Sequence, residues 1–244
     1  MINNGAFVDF SYEIVGNGEE TPIVFLHGWG GDKRSFLYFS KTFQDRKCVL
    51  VEFPPFGESS EPRAPLSVFL YAKLLIQILE KNDIKDFYIV AHSFGARVAV
   101  EMCKLGVVPQ KMVITGGAGI KKKKSLKTKI KIVEYKFTKY LCECGLLNFN
   151  KLKKFGSFDY MALSSVSKAT FVNVINYDQT KFLRYVSCPV LLYWGKKDKE
   201  TPFYFTKIYK KHIKDCGVVC TVGGHFAYLE NAREFLRLLH EFLK

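Results

Sequence analysis

Phe87-Tyr-Ile-Val-Ala-His-Ser93-Phe-Gly-Ala96 is the stretch from which the architecture is read. Residues 87–91 form a short apolar run of the kind a strand buried on both faces needs. A helix follows at once, expected over residues 94–105, so strand passes to helix through a very tight turn. The small residues Ala91 and Gly95 let neighbouring backbones approach. Ser93 is left at a helix N-terminus, where free amides favour negative charge.

Working outward, the same alternation recurs. Upstream, residues 6–15 read as a strand, and 22–26 as a short buried strand ending in His27-Gly-Trp-Gly-Gly31. Asp32 is expected to cap a helix reaching about Phe43. Residues 47–53 form the next strand, and Pro54-Pro55 forces a loop. Residues 67–81 carry helical periodicity. Downstream come strands at 112–115, 189–194 and 218–222, with helices at 202–213 and 229–243. Strands alternating with helices predict an α/β fold, a mostly parallel central sheet with helices on both faces. The connection from Gly116 to Cys188 is too long for one crossover. Residues 118–187 are therefore expected to be an inserted helical cap within a single domain spanning 1–244.

Composition agrees with a packed globular chain: 48% hydrophobic, 25% charged and 15% aromatic over 244 residues. No run approaches the roughly 18 apolar residues of a spanning helix, and Met1–Gly5 lack the basic and apolar regions of a secretory signal. A cytoplasmic location is expected. The seven cysteines are scattered, several in apolar runs, and are expected to be reduced and buried. Cys142-x-Cys144 has no second pair at zinc spacing, so neither a metal nor another cofactor is expected. The formal charge is +14, and residues 118–182 hold 14 Lys against 4 acidic residues, most of the excess. No recognition motif accompanies it, which argues against nucleic acid as a partner.

A Ser hydroxyl becomes a nucleophile only when a base takes its proton. Of the five histidines, His27 and His92 lie inside tight motifs that hold them away from Ser93, and His212 and His240 lie in helices among charged neighbours. His225 follows a strand and two glycines, on a loop at a strand's carboxyl end, the edge where open parallel sheets bind ligands. It is the expected base. Asp198, after the 189–194 strand, is the expected orienting carboxylate; Glu200 competes, and Asp198 could be only a turn residue. The amides of Phe94 and Trp29 are the expected donors to a developing oxyanion. The opposing reading is that Ser93 merely caps its helix.

Phe25-Leu-His-Gly-Trp-Gly-Gly31, Glu52-Phe-Pro-Pro-Phe-Gly-Glu-Ser59, Ala91-His-Ser-Phe-Gly95, Trp194-Gly-Lys-Lys-Asp198 and Gly223-Gly-His225 together resemble the α/β-hydrolase family, in order and spacing over nearly the whole chain. The order Ser…Asp…His fits that family and not the two main serine protease types. Glu52, Pro55 and Ala91 depart from it, where members usually carry Asp, Gly and Gly. The resemblance implies an esterase-like serine hydrolase acting on a small-molecule ester or thioester through an acyl-enzyme on Ser93. A C–C bond hydrolase, an aminopeptidase-type member, a membrane-surface lipase and a binding protein with a disused site are the alternatives.

Residues 125–147 place Leu126, Ile130, Val133, Phe137 and Tyr140/Leu141 at helical spacing with lysines between them. The preferred reading is a cap helix whose apolar face covers the site while its lysines are solvated. Contact with an anionic membrane surface and attraction of anionic substrates are secondary readings.

Overall fold

In the computed structural model, which describes residues 10–121, 126–148, 151 and 162–244, one seven-stranded sheet organises the chain. Strand β2 (Glu20–Leu26) shows how. Its side chains alternate, and both sets are apolar. Val24 and Leu26 join one core, while Ile23 and Phe25 join the other. The strands β3 (Arg46–Val51), β4 (Tyr88–His92), β5 (Lys111–Thr115), β6 (Val190–Gly195) and β7 (Cys216–Thr221) run parallel to β2. Only β1 (Tyr12–Val15) is antiparallel, paired with β3 at one edge. The spatial order is β1-β3-β2-β4-β5-β6-β7.

Helices cover both faces, as the alternation predicts. On one side α2 (Val68–Lys81) and α3 (Phe94–Lys104) bring Tyr71, Leu75, Val98 and Met102 onto Val24, Ile89 and Ile114. On the other, α1 (Arg34–Ser40) and the closing helices bring Phe36, Phe39, Phe235 and Leu239 onto Phe25, Val90 and Tyr193.

Between β5 and β6 lie α4 (Leu126–Glu143), α5 (Ser165–Asn176) and a 3-10 turn at Thr180–Tyr185. After β6 come α6 (Phe205–His212), α7 (Ala227–Glu230) and α8 (Ala232–Phe242).

Four expectations change. Asp32 does not cap α1. Its carboxylate takes the Arg34 amide at 2.8 Å and pairs with the Arg34 guanidinium, while Lys33 occupies the cap position. The single closing helix is two, because Asn231 leaves helical geometry and its side chain donates to the Val222 carbonyl. Cys144 is exposed, and Cys216 and Cys220 are half-buried, so the buried-thiol reading holds for only four of seven. The largest change concerns α4. Its apolar stripe faces solvent, with Ile130, Val133, Phe137 and Tyr140 each at least 58% exposed. None of its described residues is among those lining the cavity at the sheet's carboxyl edge. Residues 6–9 of the first predicted strand and Lys122, Lys123 and Lys124 of the basic run lie outside the described residues.

Candidate active site

In a parallel sheet the carboxyl ends of the strands share one edge, and the loops leaving β2, β4, β6 and β7 meet there. Ser93, between β4 and α3, has φ +48° and ψ −104°, outside the regions a side chain ordinarily allows. Such a conformation costs about 1–3 kcal/mol and persists only where its surroundings enforce it. They do: the Ser93 amide donates to the Thr115 carbonyl at 3.1 Å, and the Ser93 carbonyl accepts from the Ala118 amide at 3.1 Å. Gly95 completes the turn, since a Cβ there would stand 2.3 Å from the Leu26 carbonyl oxygen. Only glycine lets α3 sit so close to β2.

Ser93 occupies the N-cap position of α3 without capping it. In the same molecule Ser67 accepts from the Leu70 amide at 3.3 Å and Ser164 accepts from the Ser167 amide at 3.0 Å. Capping serines therefore look different here, and the capping reading of Ser93 fails.

The loop after β2 closes against this turn. A Cβ on Gly28 would lie 3.4 Å from the Ser93 Cβ and 2.7 Å from the His92 ring, so the glycine permits the approach. The Trp29 ring packs on Phe94, Phe56 and Phe171, with centroids 5.4, 5.0 and 5.2 Å away. Phe94 is the first residue of α3, so its amide has no partner within the helix.

Beneath this loop His27 is a strut. Its Nδ1 faces the Gly28 carbonyl at 2.7 Å and its Nε2 faces the Phe53 amide at 2.8 Å. A carbonyl only accepts and an amide only donates, so His27 is neutral with its proton on Nδ1. Burial pushes its pKa down to about 4. His92 is similar, with Nδ1 donating to the Thr115 carbonyl at 3.0 Å and burial lowering its pKa to about 3. Its ring stands 4.7 Å from that of His225. His212 and His240 lie on α6 and α8, away from these loops.

The loops after β6 and β7 are tied together by the Lys197 amide, which donates to the Gly223 carbonyl at 2.8 Å. That tie brings two predicted residues into contact. His225 Nδ1 donates to Asp198 Oδ2 at 2.8 Å, and the Asp198 side chain has no solvent exposure. Burial alone would raise the Asp198 pKa. Hydrogen bonds from His225 and from the Thr201 amide and hydroxyl outweigh it and hold the carboxyl below its ordinary value. Glu200, the competitor, is exposed.

Two residues were not singled out from the sequence. Thr201 Oγ1 lies 2.8 Å from Asp198 Oδ2 and 3.2 Å from His225 Nδ1, bridging both. The Glu230 carboxylate accepts the Gly224 amide at 3.1 Å and fixes the loop that carries His225. The spacing Asp-x-x-Thr was a visible signal for the first, because an aspartate readily accepts the amide three residues on. For Glu230 there was none, since its loop contact is set by the break at Asn231.

A cavity of about 600 Å³ opens above these loops, lined among others by Trp29, Ser93, His92, His225 and Phe171. Ser93, Trp29 and His225 thus share one space. Asp198 stands behind His225 and outside it. The wall opposite the sheet comes from Ala162, Leu163 and Phe171, in and just before α5. That is the part the sequence assigned to α4.

A seven-stranded, mostly parallel sheet with helices on both faces is the architecture of the α/β-hydrolase fold, and the strained serine turn and Asp–His pair lie at its carboxyl edge. Comparison with known proteins agrees. Residues 21–118 match the family described as alpha/beta hydrolase fold. The AB hydrolase superfamily protein YisY of Bacillus subtilis is 23% identical over 94% of this chain and 93% of its own length. A component of the acetoin-cleaving system of Pseudomonas putida, a dihydrolipoyllysine-residue acetyltransferase, is 26% identical over 41% of this chain, a match spanning only 27% of that protein. An esterase from Exiguobacterium antarcticum superposes with a TM-score of 0.77 at 17% identity, covering 98% of this chain and 97% of that one. The chain has the α/β-hydrolase fold, and its first half is similar in sequence to that family.

Proposed function

We propose that the chain is a serine hydrolase that cleaves an ester-like bond, a carboxylic ester or thioester, of a small molecule. The observation that carries this is the serine held at φ +48° with a hydroxyl that caps nothing, in one cavity with a histidine fixed by a buried carboxylate. Strain of that kind marks working sites more often than structural ones.

In this reading Ser93 Oγ attacks the carbonyl carbon while its proton passes to Nε2 of His225. Asp198 and Thr201 engage the other ring nitrogen, which fixes the tautomer that leaves Nε2 basic. The oxyanion takes hydrogen bonds from the Phe94 and Trp29 amides. Collapse expels the alkoxide or thiolate, which receives the proton from His225. Water, deprotonated by the same imidazole, then attacks the acyl-enzyme and frees the acid. Asp198 stays ionised throughout, consistent with its lowered pKa. Residues 118–187 act as a helical cap whose α5 end, through Phe171, meets the substrate. An esterase among the similar folds supports the choice of bond.

Treatment with a fluorophosphonate is expected to give one adduct, on Ser93, when its peptides are analysed by mass spectrometry. Ser93→Ala is expected to lose about 10⁶ in turnover of p-nitrophenyl esters while remaining folded. An adduct on another residue, or an active Ser93→Ala protein, would overturn the assignment.

A further inference from the structure

Helix α4 is attached by its wrong side. Among its described residues Thr138 and Cys142 are buried, at 8% and 3% exposure, and Tyr135, about one turn before Thr138, is half-buried. Ile130, Val133, Phe137 and Tyr140 are 58, 66, 62 and 60% exposed. At about 100° per residue these four fall within roughly 80° of the helix circumference, opposite the packed residues. Leu146 and Leu147, just past the helix, add exposures of 70% and 36%. A soluble surface rarely carries so continuous an apolar stripe without a use for it.

One flank of the stripe is basic. Lys136 is exposed beside it, and Lys139, further round the helix, is exposed and meets Glu143 at 3.6 Å. The same helix also carries Lys127, Lys129 and Lys131 in sequence against Glu134 and Glu143. An occupant must therefore offer both apolar volume and negative charge. A second copy of this chain fits poorly, because pairing two stripes would bring two lysine rows together on chains of net charge +14. Duplex nucleic acid supplies charge but no apolar volume for aliphatic Ile130 and Val133. An anionic bilayer surface supplies both.

We propose that α4 docks the protein on anionic lipid, lying in the plane of the interface with its stripe at the acyl boundary and its lysines among the head groups. The helix lies on the bilayer and does not cross it. Its 18 residues rise only about 27 Å, and among the described residues no helix is long and apolar enough to span. The proposal does not depend on the chemistry at Ser93.

Sedimentation of the full chain with phosphatidylcholine vesicles, with and without phosphatidylglycerol, tests it. Pelleting is expected with the mixed vesicles, weakening as salt rises, and not with phosphatidylcholine alone. The double variant Val133→Ser/Phe137→Ser is expected to lower binding at least about tenfold, since both side chains would lose an apolar surround. Lys136→Gln/Lys139→Gln is expected to lower it roughly thirtyfold, from about 1 kcal/mol per lysine at the surface. Circular dichroism and thermal unfolding of both variants should match the parent, because the four positions are exposed. Three results would overturn the proposal: no pelleting with anionic vesicles, equal pelleting of the Val133→Ser/Phe137→Ser protein, or a parent dimer that this variant converts to monomer while vesicles capture neither.

Discussion

Asp198 and Glu200 lie two residues apart on one loop, and the sequence alone left both open. Burial separates them. Asp198 takes three hydrogen bonds in a dry setting, from His225 and from the amide and hydroxyl of Thr201, whereas Glu200 faces water. Asp198→Asn is expected to lower ester turnover by about 10⁴, because an amide can present its NH₂ to His225 and turn the ring to the wrong tautomer. Glu200→Gln should leave turnover within a few-fold of the parent. Steady-state kinetics of the two variants checks this, and the reverse outcome would move the role to Glu200. The place of His225 beside Asp198 was legible because His27 and His92 sit inside tight motifs and His212 and His240 in helices, which leaves one histidine on an open loop at the sheet's carboxyl edge. Thr201 was harder to read. The Asp-x-x-Thr spacing signals its bond to Asp198, but not its bridge to His225, 24 residues further on.

At the scale of elements, the contact between α3 and β2 is the tightest consequence of a single residue. In an isolated helix Gly95→Ala would help by up to about 1 kcal/mol. Here the added methyl meets the Leu26 carbonyl at 2.3 Å, and relieving that overlap costs typically 1–3 kcal/mol. The clash wins. Gly95→Ala is expected to lower the urea midpoint, with a net loss of about 1–2 kcal/mol by equilibrium unfolding. An unchanged midpoint would mean that α3 can slide off β2 at no cost. Helix α4 teaches the complementary lesson. Its 3.6-residue period announced an apolar stripe, yet a period says nothing about which way the stripe points. Read from the sequence, the stripe faces inward over the site. The structure seats the helix on Thr138 and Cys142, residues too small and too few to stand out in a pattern.

Over the whole molecule, strand and helix alternation was legible because five strands, β2 to β6, are mostly buried apolar runs with turn residues at their ends. The order β1-β3-β2-β4-β5-β6-β7 was not, since it depends on which crossover packs where. The buried histidines have a global effect. His27 and His92 stay neutral in the fold, with pKa values near 4 and 3, and regain about 6.5 on unfolding. Below pH 6.5 the unfolded chain therefore binds more protons. Their contribution to stability is complete above that pH and is lost as pH falls toward 4 and then 3. Between pH 6 and 4.5 unfolding should take up close to two protons, a slope of about 2–3 kcal/mol per pH unit. Urea unfolding at several pH values measures it, and a flat profile from pH 7 to 5 would contradict the neutral assignments.

The aromatic wall of the cavity carries one more consequence. The chain has only two tryptophans, and they occupy opposite worlds. Trp194 is sealed in the core, its indole N–H on the Thr201 carbonyl at 2.7 Å. Trp29 lines the cavity beside Ser93. Intrinsic fluorescence therefore splits into two channels: a blue emission from Trp194 that reports whether the sheet stands, and an emission from Trp29 that answers to whatever enters the cavity.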